Sequence, residues 1–133
     1  MTVLLDTNVF LFIARDGSLP KAVQRIVENH STEILVSIIT YWEIAILNNE
    51  SFGKRKRIEM PLRRVEQAVE AMSARLLPIT INHTGILHRL PMFHRDPFDR
   101  MIIAQALEER CPVLSADQRF ELYKGQGLKV IWN

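Results

Sequence analysis

The chain has 133 residues, of which 47% are apolar and 24% charged, and its formal net charge at pH 7 is +2. These values are typical of one globular domain over residues 1–133, and no low-complexity segment or apolar run of about 18 residues is present. The N-terminus meets an acid at Asp6 without a preceding basic stretch, unlike a secretion signal. Because Cys111 is the only cysteine, an internal disulfide and a cysteine zinc cage are excluded. We therefore expect a cytoplasmic protein with no membrane association.

Short apolar runs alternate with segments of helical periodicity along the whole chain. This alternation predicts a parallel α/β sheet with helices on both faces, an α/β/α arrangement. In chain order the predicted elements are a strand over 2–5, helices over 8–16 and 19–30, a strand over 33–39, a helix over 40–49, a basic connection over 51–61, a helix over 62–76, a strand over 77–80, a helix over 82–90, a helix from 97 to about 110, a strand over 112–117, a helical turn over 118–123 and a strand over 128–132.

Three of the predicted helices begin with residues that commonly cap a helix. Asn8 is a plausible cap for the first. Thr40 followed by Glu43 has the spacing of a capping box. Asp96 precedes Pro97, which is favoured at the first helical position, so Asp96 is expected to cap the helix that contains Asp99.

Four acids lie where strands end or where the adjoining helices begin. Asp6 ends the first strand and Asp117 the fourth, whereas Glu43 and Asp99 lie in the first turns of helices. The carboxyl ends of parallel strands share one edge of the sheet, and ligands bind along that edge. The four acids can therefore converge there, although Asp6 and Asp117 could equally cap the turns that follow them.

Glu43 and Asp99 are harder to explain as surface charges. Glu43 is the only charge between residues 34 and 47, and Asp99 shares a helix face with apolar side chains three, four, seven and eight positions later. A half-buried carboxylate needs a cationic partner or a metal. Arg100 is a candidate partner for one acid. Several acids at one edge favour a divalent ion, and the oxygen-only ligand set indicates Mg²⁺ or Mn²⁺.

Four motifs together resemble the PIN-domain nucleases, and in particular the VapC toxins of toxin–antitoxin pairs. They are LLDTN (4–8), TYWEIAI (40–46), HRDPFDRMIIAQA (94–106) and LSADQRF (114–120). The resemblance implies an α/β/α sandwich, metal-dependent RNA cleavage, a homodimer and a cognate antitoxin. It implies that the catalytic and metal-binding acids are Asp6, Glu43, Asp99 and Asp117. It also implies supporting roles for Thr7, Asn8, Ser115 and Asp96.

Basic residues in the second half of the chain are candidates for RNA contact. The run Lys54, Arg55, Lys56 and Arg57 is either a solvated connection or a phosphate-binding surface that borders the site, because it follows the Glu43 helix closely. His94 could touch a phosphate, although exposed histidines are ordinary in such a polar stretch. Arg100 is the remaining candidate for RNA contact.

Two other functions remain open at this point. A haloacid-dehalogenase-like phosphatase would use Asp6 as its nucleophile, but position 8 is Asn8, which cannot act as the general acid. In a non-catalytic RNA-binding module every acid would be a cap, and the basic run would bind the RNA. Scission of RNA that EDTA abolishes would separate the nuclease from both alternatives.

Overall fold

A computed structural model of the chain, which describes residues 1–49 and 55–133, contains a five-stranded parallel sheet. The strands are β1 (Thr2–Leu5), β2 (Glu33–Ser37), β3 (Arg75–Leu77), β4 (Val113–Leu114) and β5 (Val130–Ile131). The helices are α1 (Thr7–Ala14), α2 (Lys21–Glu28), α3 (Ile38–Leu47), α4 (Leu62–Ala71), α5 (Ile81–Arg89), α6 (Pro97–Glu109) and a 3₁₀ helix (Gln118–Gln126). The predicted parallel α/β fold is confirmed. Within the described ranges, no helix has the length and apolar character needed to cross a membrane.

The strand order is β3-β2-β1-β4-β5, with every neighbouring pair parallel. β1 is the central strand, and its Leu4 is in register with Leu35 of β2 and Val113 of β4. The chain builds outward from β1 to β2 and β3 and then crosses over to add β4 and β5. A crevice forms at the carboxyl edge where the order reverses, and here that point lies between β1 and β4.

An apolar core covers each face of the sheet. On β1, Leu4 belongs to one core with residues of α5 and α6, whereas Val3 and Leu5 belong to the other with residues of α1, α2 and α4. Alternate side chains of a strand point to opposite faces, which explains why a continuous apolar run can serve both cores. α3 contributes to both, through Ile39 and Ile44.

The starts of α1 and α3 differ from the prediction. α3 begins two residues earlier than expected because Ser37 caps it, with its hydroxyl accepting a hydrogen bond from the backbone N–H two residues on at 3.0 Å. Thr40 and Glu43 therefore lie inside the helix, and the predicted capping box is wrong. Asn8 is likewise not a cap, since the Asp6 carboxylate accepts the backbone N–H three residues on at 2.7 Å.

The third strand lies earlier in the chain than predicted. α4 ends at Ala71, and Ser73 adopts a left-handed φ of 52°, so the chain turns sharply and Arg75 already pairs with Leu35. Pro78 has no N–H to donate, which is consistent with the strand ending at Leu77. The remaining elements lie within their predicted ranges or close to them, although β4 and β5 have only two residues each.

A candidate metal centre at the carboxyl edge of the sheet

Acids from four separate elements lie at the carboxyl edge near the switch point. Asp6 directly follows β1, Asp117 follows β4, Asp99 is in the first turn of α6 and Glu43 is inside α3. Asp6, Glu43 and Asp99 are buried and Asp117 is half-buried. The charges of Asp99 and Asp117 both act on Asp6, and that of Asp99 acts on Glu43, so the acids share one electrostatic environment.

The aspartates that cap helices use one carboxylate oxygen for the backbone. The Oδ1 atoms of Asp6, Asp96 and Asp117 accept backbone N–H groups at 2.7, 3.0 and 2.9 Å. In Asp96 and Asp117 the second oxygen receives a charged or ring N–H donor instead, from Arg55 at 2.8 Å and His94 at 3.0 Å. The caps thus fix the direction in which each carboxylate faces the site.

Arg55 bridges three of the acids. Its Nε donates to Asp96 Oδ2 at 2.8 Å, its Nη2 donates to Asp99 Oδ2 at 2.8 Å, and its Nε lies 3.1 Å from Glu43 Oε2. Burial alone would lower the pKa of Arg55, but the hydrogen bond to Asp96 and the nearby carboxylate charges raise it above its usual range. Burial likewise opposes ionisation of Asp96, yet the bond from Arg55 lowers the pKa of that carboxyl. Arg55, which the sequence offers as a possible RNA contact, lies among the acids.

Glu43 is the most isolated carboxylate of the group. Its side chain is 0% exposed, and neither carboxylate oxygen receives a hydrogen bond of ordinary geometry from the described residues, although the Thr7 hydroxyl and the Arg55 ion pair both favour its charged form. Burial raises the pKa of Glu43 to about 7 although Arg55 opposes the shift. Burial also raises the pKa of Asp6 to about 6, against the lowering effect of the Ser115 hydroxyl. The raised pKa values of Glu43 and Asp6 indicate that the positive charge around these two carboxylates does not offset their burial.

His94 is a site residue that the sequence prediction underestimated. It is buried, with Nε2 3.2 Å from Asp99 Oδ2 and 3.0 Å from Asp117 Oδ2, so the expectation of an ordinary exposed histidine was wrong. Burial would lower the pKa of His94, but the hydrogen bond and charge of Asp99 raise it. The signal in the sequence was its place in the HRDPFD turn, where the N–H of Asp96 donates to Nδ1 at 3.2 Å.

The tautomer of His94 decides which atoms can hold a metal. His94, Asp99 and Asp117 offer ligand atoms within 4.8 Å of one another, a spacing that suits a metal ion. Because Nδ1 accepts the N–H of Asp96, the ring proton resides on Nε2, which then donates to the carboxylates. In this tautomer His94 orients the acids, and the available ligands are carboxylate oxygens. Such an all-oxygen set, with buried Glu43 oxygens lacking hydrogen bonds, fits a hard divalent cation.

Besides Asp96, which caps α6 and binds Arg55, the three other predicted supporting residues differ in position. Thr7 is buried, with its hydroxyl 3.1 Å from that of Thr40. Ser115 is buried and accepts the backbone N–H of Asp117 at 3.0 Å. Asn8 is exposed in the first turn of α1, so its supporting role stays a prediction without a contact of its own. Arg119, which the sequence analysis did not single out, binds Asp117 at 2.9 Å.

The burial of Arg100 does not support the predicted RNA contact, which stays a prediction. Arg100 is buried and donates to the backbone oxygens of Leu90 and Pro91 at 3.3 and 2.9 Å, and to the Tyr123 hydroxyl at 3.1 Å. Its guanidinium is therefore held inside the fold, and it does not pair with Asp99. These bonds tie α6 to the segment that follows α5.

Lys56 and Arg57 of the basic run lie away from these contacts. Lys56 and Arg57 are exposed, and Arg57 Nε donates to the backbone oxygen of Asn48 at 3.1 Å. Their contact with RNA remains a prediction. Lys54 lies outside the described residues.

Comparison with known proteins agrees with this architecture. The PIN domain family model matches residues 3–126. The chain is 29% identical over 134 residues to Ribonuclease VapC22 of Mycobacterium tuberculosis (strain ATCC 25618 / H37Rv), covering 98% of each chain. The fold is similar to VapBC2 from Rickettsia felis bound to a DNA fragment from their promoter, with a TM-score of 0.68, 14% identity and 100% of both chains covered. It is also similar to DNA-bound VapBC from Salmonella typhimurium, with a TM-score of 0.68, 18% identity and 98% and 97% covered. Because the family model matches nearly the whole chain, this protein belongs to the PIN domain family.

Proposed function

We propose that residues 1–133 act as one endoribonuclease domain that hydrolyses RNA with a divalent ion, Mg²⁺ or Mn²⁺, at the carboxyl edge of the sheet. The observation that carries this proposal is Glu43, a fully buried carboxylate whose oxygens accept no hydrogen bond of ordinary geometry from the described residues and whose pKa stays raised despite Arg55 and Thr7. Burying a carboxylate charge lowers the stability of the fold unless enough positive charge lies nearby to offset the loss of hydration. Asp6, Glu43, Asp99 and Asp117 form the acid set that would hold and balance the ion.

The chain's own residues orient the acids before any substrate arrives. The backbone caps fix Asp6 and Asp117, while His94 holds Asp99 and Asp117 together from the buried side. When bound, a divalent ion lowers the pKa of water and stabilises the charge that grows on a phosphate. Thr7 and Ser115 support the site from within the fold.

A nucleophilic water fits this site better than a covalent enzyme intermediate. Cys111 precedes β4 and therefore lies at the opposite, amino edge, where burial raises the pKa of its thiol to about 11. Membership of the PIN family also removes the phosphatase alternative. The caps-only alternative fails for Glu43 and Asp99, which cap no helix in the structure.

Two protein partners follow from the same proposal: a cognate antitoxin and a second copy of this chain. One structure with a similar fold, VapBC-5 from Mycobacterium tuberculosis, is described as a member of the VapBC family of toxin–antitoxin systems. Large apolar side chains are available for such contacts, since Trp42, Ile81 and Met92 are 56, 85 and 65% exposed. A basic side chain from the antitoxin would be attracted to Asp6, which forms no ion pair with a basic side chain of the described residues. The site of action would be the cytoplasm.

Cleavage of an RNA ladder with and without EDTA tests the proposed activity. We expect scission in Mg²⁺ or Mn²⁺ and none in EDTA. Asp99→Asn keeps the shape but removes a charge that faces Arg55 and His94, so we expect a loss of about a hundredfold or more. Asp16→Asn is the matched control, because Asp16 is exposed and its left-handed backbone suits asparagine. Near wild-type cleavage by folded Asp99→Asn, or cleavage that persists in EDTA, would contradict the proposal.

A further inference from the structure

Arg55 divides the acids into two groups that share Asp99. On one side lie Glu43, Asp96 and Asp99, whose oxygens are 3.1, 2.8 and 2.8 Å from the Arg55 nitrogens. On the other side, the charges of Asp99 and Asp117 both act on Asp6, and His94 Nε2 lies 3.2 and 3.0 Å from Asp99 and Asp117. The first group is therefore already bound to a cation that belongs to the chain.

The second group lacks an equivalent cation at its centre. Asp6 is 2% exposed, and no basic side chain of the described residues forms an ion pair with it. Arg119 binds Asp117 from the solvent side, with 62% of its own side chain exposed. His94 donates to Asp99 and Asp117 but does not reach Asp6 within ion-pair distance. A divalent ion at Asp6, Asp99 and Asp117 would supply the missing charge.

We infer that Arg55 takes the place of a second metal ion, so that the site holds one divalent ion at Asp6, Asp99 and Asp117 with the Arg55 guanidinium as the fixed cation on the Glu43 side. This inference rests on the metal-dependent activity proposed above. It assigns Glu43 to the arginine and assigns Arg55 to the site as a positioning residue.

On the Glu43 side, three oxygens of Asp96 and Asp99 are already in use. Asp96 Oδ1 caps α6, and Asp96 Oδ2 and Asp99 Oδ2 each accept an Arg55 hydrogen bond. A second ion there would have to displace the guanidinium, whose planar fork engages two carboxylates at once and whose charge is permanent. The geometry therefore favours arginine over a second metal at this position.

Arg55 also keeps donors free for the substrate. Its side chain is 21% exposed, and Nη1 has no acceptor among the described residues. An arginine beside a metal ion can bind a phosphate oxygen and stabilise the charge that develops during phosphoryl-transfer chemistry. Arg55 would thus position the scissile phosphate against the single ion.

The number of bound ions tests this inference directly. Calorimetric titration with Mn²⁺ and electron paramagnetic resonance are carried out at pH 7.5 and constant ionic strength on wild type, Arg55→Gln and Lys56→Gln. We expect one ion in wild type, and a second, weaker site with a spin-coupled Mn²⁺ pair in Arg55→Gln. Lys56→Gln removes the same charge from the next, exposed residue and should keep one ion.

Two further variants locate the ion and do not depend on the folding of Arg55→Gln. Asp6→Asn should weaken Mn²⁺ binding by at least about tenfold, whereas Glu43→Gln, which faces Arg55 and not the ion, should weaken it by less than Asp6→Asn does. Circular dichroism confirms that each variant is folded.

Each alternative result overturns the inference. Two ions in wild type, one ion in both wild type and folded Arg55→Gln, or loss of Mn²⁺ binding in Glu43→Gln would each refute it, while the proposed nuclease would stand. Absence of Mn²⁺ binding in wild type would refute the metal-dependent function and this inference together.

Discussion

Replacing Glu43 with glutamine is expected to change how the stability of the metal-free protein depends on pH. Burial raises the pKa of Glu43 from 4.5 to about 7. Between these values the unfolded chain ionises while the folded protein keeps the proton, so the free energy of unfolding falls as pH rises through this range. The difference between the two pKa values corresponds to about 3 kcal/mol at pH 8 and to less than about 1 kcal/mol at pH 5.

Glutamine cannot ionise, so the free energy of unfolding of Glu43→Gln does not fall with pH through this group. Relative to wild type, the variant should therefore gain about 2 kcal/mol between pH 5 and pH 8. A buried amide without partners costs about 1–3 kcal/mol, but that cost is the same at each pH and cancels in the comparison. Asp6 titrates in a similar range, with a pKa of about 6, and is present in both proteins.

Urea unfolding in EDTA, followed by circular dichroism at pH 5, 6, 7 and 8, measures the effect. Glu70→Gln is the matched control, because Glu70 is exposed on α4 and should give a difference from wild type that does not vary with pH. Mn²⁺ at about 100 times its Kd should then add roughly 2.7 kcal/mol to wild type. If the difference between Glu43→Gln and wild type stays constant or moves the other way, Glu43 carries no uncompensated charge and the argument from its burial fails.

Two further predictions concern the basic residues. Arg100→Met removes the hydrogen bonds to the backbone oxygens of Leu90 and Pro91, so the free energy of unfolding should fall by about 2–4 kcal/mol. The folded variant should bind RNA as wild type does, and weaker RNA binding at unchanged stability would show that Arg100 reaches the substrate. Replacing Lys56 and Arg57 with serine should reduce the slope of log K against log salt for single-stranded RNA by about 1.4, and an unchanged slope would make the run a solvated connection.

The sequence was sufficient to predict the sheet and the convergence of the acids, because both follow from short-range rules. Apolar runs of strand length fix the parallel sheet, and acids that end such runs must lie at its carboxyl edge, as Asp6 and Asp117 do. The start of α3 was missed because β-branched Ile38 and Ile39 resemble the end of a strand, whereas the Ser37 cap turns them into a helix.

The partners of the acids depend on tertiary contacts that no local pattern contains. Arg100 follows Asp99 in the chain, but adjacent helix residues point in different directions, and Arg100 faces the interior instead. The cation that binds Asp99 is Arg55, which lies 44 positions away in the chain. His94 lies in a turn without periodicity, so its burial against Phe120 and its contact with Asp117 arise only when α6 and β4 come together.

The use of Asp6, Asp96 and Asp117 as helix caps has an evolutionary consequence. Asparagine caps a helix about as well as aspartate, so a change to asparagine at any of these positions would spare the fold while removing a charge from the site. Inactivating alleles of this gene would then encode intact, protease-resistant proteins instead of aggregates. Lineages in which the activity is harmful could lose it through one substitution and still retain a stable protein. Asparagine at these cap positions would then mark a chain that descends from an active enzyme.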